Sequence, residues 1–121
     1  MIDEKYLAGF FDGEGCIFTC IKKSKHPKKT YLYPDLNVSI GQSGEEGKQI
    51  LLEIKELFPQ FGKLQKKKAR GLTKQAPYTI VTSGRKAVSF LKEMYPFLIL
   101  KQKQAVEAIN YMESYYESRK I

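Results

Sequence analysis

No stretch of this 121-residue chain approaches the ~20 consecutive apolar residues that a membrane helix needs. Its first residues do not resemble a signal peptide, so an intracellular protein without a membrane partner is expected. Cysteine is scarce, with two residues in all. Cys16 and Cys20 lie roughly 13 Å apart on a predicted strand, whereas the Cα atoms of a disulfide must approach within about 7 Å. Because His26 is the single histidine, a zinc site within one chain lacks ligands. Both thiols are therefore expected to be reduced. Linkers, low-complexity segments and internal repeats are also missing, which leaves residues 1–121 as one domain. A chain of this size buries roughly two-thirds of the surface its unfolded form exposes.

Acids are missing from two short segments where cations gather. Lys22, Lys23, Lys25, Lys28 and Lys29 occupy one, and Lys63, Lys66, Lys67, Lys68, Arg70 and Lys74 the other. Setting those 11 cations aside leaves 10 basic against 13 acidic residues, in a chain of formal net charge +8. The body is mildly acidic, and the excess belongs to two segments. Each is attached to a predicted hairpin, which points to a polyanion-binding surface rather than a merely solvated face.

Asp3 is placed to cap a first helix of about ten residues, with Glu4 favourable in its opening turn. After Gly15, CIFTCIKK is β-branched and aromatic enough for a strand. Ile17, Thr19 and Ile21 share one of its faces, and Cys16, Phe18, Cys20 and Lys22 the other. TYLYPDLNVSIGQ reads as a second strand, in which Leu36, Val38 and Ile40 alternate with Asp35, Asn37 and Ser39. Pro34 marks an edge position or a bend. Ser43 and Glu46 have capping-box spacing, and Ile50, Leu51, Ile54, Leu57 and Phe58 form the stripe of the following helix. Pro59 ends it. Gly62 opens a third strand, GKLQKKKAR, Gly71 marks a turn, and Tyr78 to Ser83 form a fourth strand. A further helix follows Gly84 and stops before Pro96. The last begins near Lys101, with Ala105, Ile109, Met112 and Tyr116 as its apolar stripe. Helices interleaved with two hairpins, αββαββα with the last helix following, specify an α+β domain whose antiparallel sheet keeps one face free.

Residues Leu7 to Gly15 read LAGFFDGEG. Gly9 and Gly13 share one helix face, and each costs roughly 1 kcal/mol relative to alanine. Close approach of a second helix offsets that loss, as small residues allow in other helix pairs. The nonapeptide resembles the motif that names the LAGLIDADG homing endonucleases. Leu7, Ala8, Gly9, Asp12 and Gly15 match by identity, while Phe10, Phe11, Gly13 and Glu14 are substitutions that the pattern accommodates. Pro96 to Ala105, PFLILKQKQA, is similar to the corresponding segment of the single-motif, homodimeric branch. The resemblance implies a homing-endonuclease fold whose sheet forms a saddle in the DNA major groove. It also places the motif helix at a dimer interface of Leu7, Gly9, Phe10 and Gly13.

The implied activity is that of a metal-dependent endodeoxyribonuclease. It makes a staggered double-strand break with 3′ overhangs in a long near-palindromic target, at an intron or intein insertion site. Such hydrolysis needs an activated water, a neutralised phosphate and a stabilised leaving oxygen, which a divalent metal held by carboxylates can supply. Mg²⁺ needs few carboxylates, and Mn²⁺ is expected to substitute. By resemblance, Glu14 is the metal ligand, Gly13 adds its backbone carbonyl, and Asp12 is the structural acid. Glutamate here replaces the more frequent aspartate and adds a methylene. Carried over by position, Gln42 orients water and Lys101 stabilises the phosphate, with Lys103 assisting. The family's basic residue near the start of the second helix has no clean counterpart in GEEGK, where Lys48 is the candidate.

One motif must serve two DNA strands, so a homodimer presenting two copies of Glu14 is expected. Strand alternation nominates the residues facing double-stranded DNA. These are Phe18, Cys20 and Lys22, then Tyr33, Asp35, Asn37 and Ser39, with Gln65 and Lys67 from the third strand and Thr79 from the fourth. Asn and Gln suit adenine, Lys suits guanine, and Asp can accept from cytosine. Lys23, Lys25, Lys28, Lys29, Lys66, Lys68, Arg70 and Lys103 suit phosphates. Other readings stay open: an intron-RNA maturase, a DNA-binding protein on the same scaffold without cleavage, or a small basic RNA-binding structural protein. The resemblance places the chain in a bacterial, phage or archaeal cytoplasm, or in an organelle that encodes it.

Overall fold

The computed structural model describes residues 2–68 and 75–119. The first helix, α1, spans Glu4–Glu14, and the Asp3 carboxylate caps it by accepting the Tyr6 N–H at 2.7 Å. Strands β1 (Gly15–Lys23) and β2 (Leu32–Ser43) form a hairpin in unbroken antiparallel register, from Gly15 opposite Ile40 to Lys23 opposite Leu32. Helix α2 (Gly44–Leu57) leads to β3 (Gln65–Lys66) and β4 (Pro77–Ser83). Helix α3 (Gly84–Met94), a 3₁₀ turn at Tyr95–Phe97 and helix α4 (Gln102–Ser118) complete the order. Among the described residues the strands form one antiparallel sheet, β1-β2-β4-β3.

Alternation gives the sheet two unlike faces. Ile17, Leu36, Val38, Ile40 and Ile80 are buried beneath the helices. Cys16, Phe18, Asn37, Ser39 and Gly41 share the opposite face by register, and none of them is buried. This is the α+β arrangement with one open sheet face that the pattern predicts. Pro34 lies opposite Ile21 of β1, but β4 pairs with β2 only from Asn37 onward. Its missing N–H therefore interrupts no ladder on that side. Beneath the sheet the Phe90 ring meets Phe11, Phe58 and Phe61 edge-on, with centroids 5.5, 5.7 and 4.8 Å away, a geometry that aromatic quadrupoles favour.

Two expectations change. Ser43 precedes α2, yet its side chain makes no capping bond, so the capping box does not form. The strand-to-helix turn rests instead on Gly44, at φ +78°, whose N–H donates to the Ala76 carbonyl at 3.1 Å. Gly84 repeats the device between β4 and α3 at φ +61°, a left-handed conformation that glycine adopts without steric cost. The third strand is also shorter than its sequence suggests. Among the described residues only Gln65–Lys66 pairs with β4, flanked by isolated bonds from Gly62 N–H to Val81 O and from Lys67 N–H to Pro77 O. Arg70, Gly71 and Lys74 lie outside the described residues.

Candidate catalytic cleft and nucleic-acid face

Helix α1 stops at Glu14 because Gly15 turns extended and gives its N–H to the Phe11 carbonyl. The last turn carries Asp12 and Glu14 and no base, an arrangement that the negative end of a helix dipole opposes. Structure resolves this for one acid only. Asp12 is buried and accepts the Ile99 N–H at 2.7 Å and the Lys101 N–H at 2.9 Å. Burial pushes its carboxyl up, but the N–H groups of Ile99, Lys101 and Leu100, with the Lys101 charge, hold it below the usual 3.8. Lys101, at the start of α4, turns its ammonium to the Asp12 carbonyl at 2.5 Å. Asp12 therefore latches the motif helix to the 99–101 segment. The unfavourable lysine at a helix N-terminus is compensated by the carbonyl end of another helix. Glu14 is exposed and has no hydrogen-bond or ion-pair partner among the described residues.

Glu14 opens onto a cleft of about 550 Å³ at the end of the sheet. Gln42 from the end of β2, Lys67 beyond β3, and Tyr78 and Thr79 of β4 line it, together with Cys16, Ser39 and Ser43. The structure thus brings Glu14 and Gln42 into one cavity, while Lys101 contacts the same helix terminus from another side. Gly47 of α2 packs directly on Gln42, since a Cβ there would lie 2.7 Å from the Gln42 Cβ. Alternation marks Lys67 as a base-facing residue but does not reveal its place beside Glu14 and Gln42. That place depends on β3 pairing with β4 over two residues. Cys16 is a further cleft residue that no motif signals, and both cysteines are free thiols.

Among the described residues no three His, Cys, Asp or Glu side chains cluster as a metal site. A cation at Glu14 would therefore complete its coordination with backbone carbonyl, water, DNA or a second copy. An unpartnered carboxylate at the negative end of a helix fits a largely hydrated divalent ion.

On the open sheet face, Phe18, Asn37, Ser39, Cys20 and Gln65 lie where alternation places them. Asp35 and Thr79 do not face solvent as expected. Asp35 is buried, accepts the Leu36 N–H at 2.8 Å and pairs with the Lys22 ammonium at 2.5 Å. That hydrogen bond raises the Lys22 pKa, against the opposing effect of desolvation. Thr79 is buried with its hydroxyl donating to the Ile40 carbonyl at 3.1 Å. Tyr33 is half-buried near the C-terminal end of α4, at the far end of the hairpin. Lys23, Lys25, Lys28, Lys29, Lys66, Lys68 and Lys103 are all exposed.

The outer face of α1 is open. A Cβ at Gly9 or Gly13 would meet nothing within 4 Å, and Phe10, half-buried, stacks on Tyr6 at 6.3 Å. Leu7 corrects the expected interface, because it is wholly buried in its own core. Beside the end of α1, Ile99 and Leu100 are 83% and 79% exposed. Sequence reasoning passes over these two, although the run LILK after a proline carries the signal.

A family model described as LAGLIDADG endonuclease matches residues 7–107, from the motif helix into α4. The chain belongs to the LAGLIDADG endonuclease family. No curated protein sequence matches it significantly. Among solved structures it is similar to the homing endonuclease I-CvuI in complex with its target in the presence of calcium. The TM-score is 0.68 and the identity 22%, over 96% of this chain and 69% of that one. It also resembles the LAGLIDADG homing endonuclease I-GzeII in complex with a DNA target, with TM-score 0.62, 21% identity and coverage of 94% and 37%. A third is I-SmaMI bound to cleaved DNA, with TM-score 0.68, 18% identity and coverage of 96% and 37%. At these identities the likeness is one of fold. The chain spans little more than a third of the last two and carries a single LAGLIDADG motif.

Proposed function

We propose that two copies of this LAGLIDADG chain associate through α1 and cut both strands of a long, near-palindromic DNA, leaving a staggered break. Mg²⁺ is the expected cofactor, with Mn²⁺ as substitute. The observation that carries this reading is Glu14, an exposed carboxylate without a partner among the described residues, at the negative end of a helix and opening onto the cleft that holds Gln42 and Lys67. A protein that only binds DNA has no use for such a group. The relatives in complex with a target in the presence of calcium and with cleaved DNA support the same substrate class.

Glu14 of each copy would hold the cation, with the Gly13 carbonyl beside it. When bound, a divalent cation neutralises phosphate charge and lowers the pKa of a coordinated water. Gln42 offers an amide that accepts from water and donates to it, fixing its direction of attack. Lys101 spends one donor on Asp12 and keeps others for phosphate oxygens, and Lys67 adds charge across the cleft. Phe18, Cys20, Asn37, Ser39 and Gln65 would face base edges, and the exposed lysines the backbone. Asp12 and Lys22 hold the scaffold.

The test uses a plasmid library whose inserts are palindromes built on randomised half-sites. Wild-type protein should linearise a subset of plasmids in Mg²⁺ and none in EDTA. A library left intact in Mg²⁺ would overturn the proposal.

A further inference from the structure

Far from Glu14, the tip of the β1–β2 hairpin and the C-terminal end of α4 enclose a groove of about 630 Å³. β1 has nine residues, so roughly 30 Å of strand separates this groove from the cleavage cleft. Its walls are aromatic and cationic. The hairpin supplies Tyr31, Tyr33 and Lys25, α4 supplies Tyr115 and Arg119 reaches in just beyond it, and Arg85 enters from α3. None of the lining side chains is acidic, and the nearby Asp35 is neutralised by Lys22.

The cations are already arranged around rings. Arg85 lies 3.8 Å from the centroid of Tyr116, and Arg119 lies 5.6 Å from that of Tyr115 while donating to its hydroxyl at 3.2 Å. Tyr31 and Tyr33 are 6.1 Å apart and tilted by 53°, so neither covers the face of the other. Tyr31 remains 43% exposed. Ring faces interleaved with guanidinium groups recognise bases that have left the helical stack, together with the phosphates that join them. A duplex hides those base faces. Moreover, α4 lies beneath the sheet, with Ala105, Ala108, Ile109 and Met112 in the core, so this wall of the groove is not part of the open sheet face.

We propose that this groove binds a single-stranded nucleic acid, stacking unpaired bases on Tyr31 and Tyr115 while Arg85 and Arg119 take the adjoining phosphates. Its occupancy is independent of Glu14. RNA and single-stranded DNA share this chemistry and are separated by experiment.

Fluorescein-labelled twelve-mers of oligo(U) and oligo(dT) are titrated with the full chain in EDTA and followed by anisotropy. Tyr31→Ala and Tyr115→Ala should each weaken binding roughly 5- to 100-fold, whereas Tyr31→Phe and Tyr115→Phe should stay near wild type because they keep the ring. Thermal melts establish that the alanine variants fold. Tighter binding of oligo(U) assigns the groove to RNA, and tighter binding of oligo(dT) to DNA, either result supporting the proposal. Absence of binding, equal affinity of both alanine variants and wild type, or full displacement by an equimolar random duplex would overturn it. Tyr31→Ala should linearise the plasmid library like wild type. A chain that binds oligonucleotides but never cuts duplex would count against the nuclease and not against the groove.

Discussion

A methyl group at position 15 would sit 2.2 Å from the Phe11 ring, which packs edge-on against Phe90 at 5.5 Å. Neither ring can retreat far in a close-packed core. Gly15→Ala should therefore destabilise the chain by about 1–3 kcal/mol, read as a lower thermal midpoint. Asp12 sets a pH dependence of definite sign. Its carboxyl is held below 3.8 in the folded state, so its contribution is complete above that value and is lost as pH falls through the lowered one. Asp12→Asn should cost about 1–3 kcal/mol at neutral pH and flatten the acid limb of stability, as followed by circular dichroism melts. That Asp12 is the structural acid is what the motif's resemblance implies, and the bonds it accepts from Ile99 and Lys101 agree with it. The burial of Leu7 is not legible in the motif, because a nine-residue motif does not say which side of its helix meets the chain's own sheet. Asp35 misleads for a related reason: alternation gives its face, but the reach of Lys22 converts a solvent-facing position into a half-buried ion pair.

At the scale of elements, α1 is the informative one. A Cβ on either of its two glycines would meet nothing within 4 Å among the described residues, so the glycines are not required by the packing of α1 on those residues. Gly13→Leu should leave the monomer folded while abolishing the proposed dimer, a change that sedimentation velocity resolves. A stable dimer of the variant would place the seam elsewhere. The first hairpin is readable from sequence because Leu36, Val38 and Ile40 alternate strictly against polar neighbours. β3 is less so, since GKLQKKKAR has few apolar residues to fix a register, and only two of its described residues reach β4 in a ladder. The capping box fails for a local reason: Gly44 already turns the chain in a left-handed conformation, and Ser43 makes no side-chain cap. The matching Ser–Gly junction before α3 is visible in the sequence at Ser83–Gly84, but its role as a turn becomes evident only from the backbone.

For the whole molecule, charge and shape coincide. One sheet face is free of helices, and exposed lysines flank it at the β1–β2 tip and beyond β3. Duplex binding should therefore weaken steeply with salt, with a log–log slope of about −0.9 for each phosphate neutralised. Charge reversal at Lys28 and Lys29 should reduce that slope without changing which sequences are cut. The overall architecture was open to sequence reasoning because the hydrophobic period changes from element to element. The cleft was only half open to it. Glu14 and Gln42 come from motif and position, whereas Lys67 and Cys16 reach the cleft through pairings that no local pattern encodes.

The central claim is that Glu14 holds the cation that cutting requires while taking little part in holding DNA. It is tested most directly by Glu14→Gln on a duplex that the wild-type protein cuts in Mg²⁺. Binding, measured by anisotropy in EDTA, should stay within about threefold of wild type, and the single-turnover cleavage rate should fall by at least about 100-fold. Cleavage at the wild-type rate would contradict the assignment.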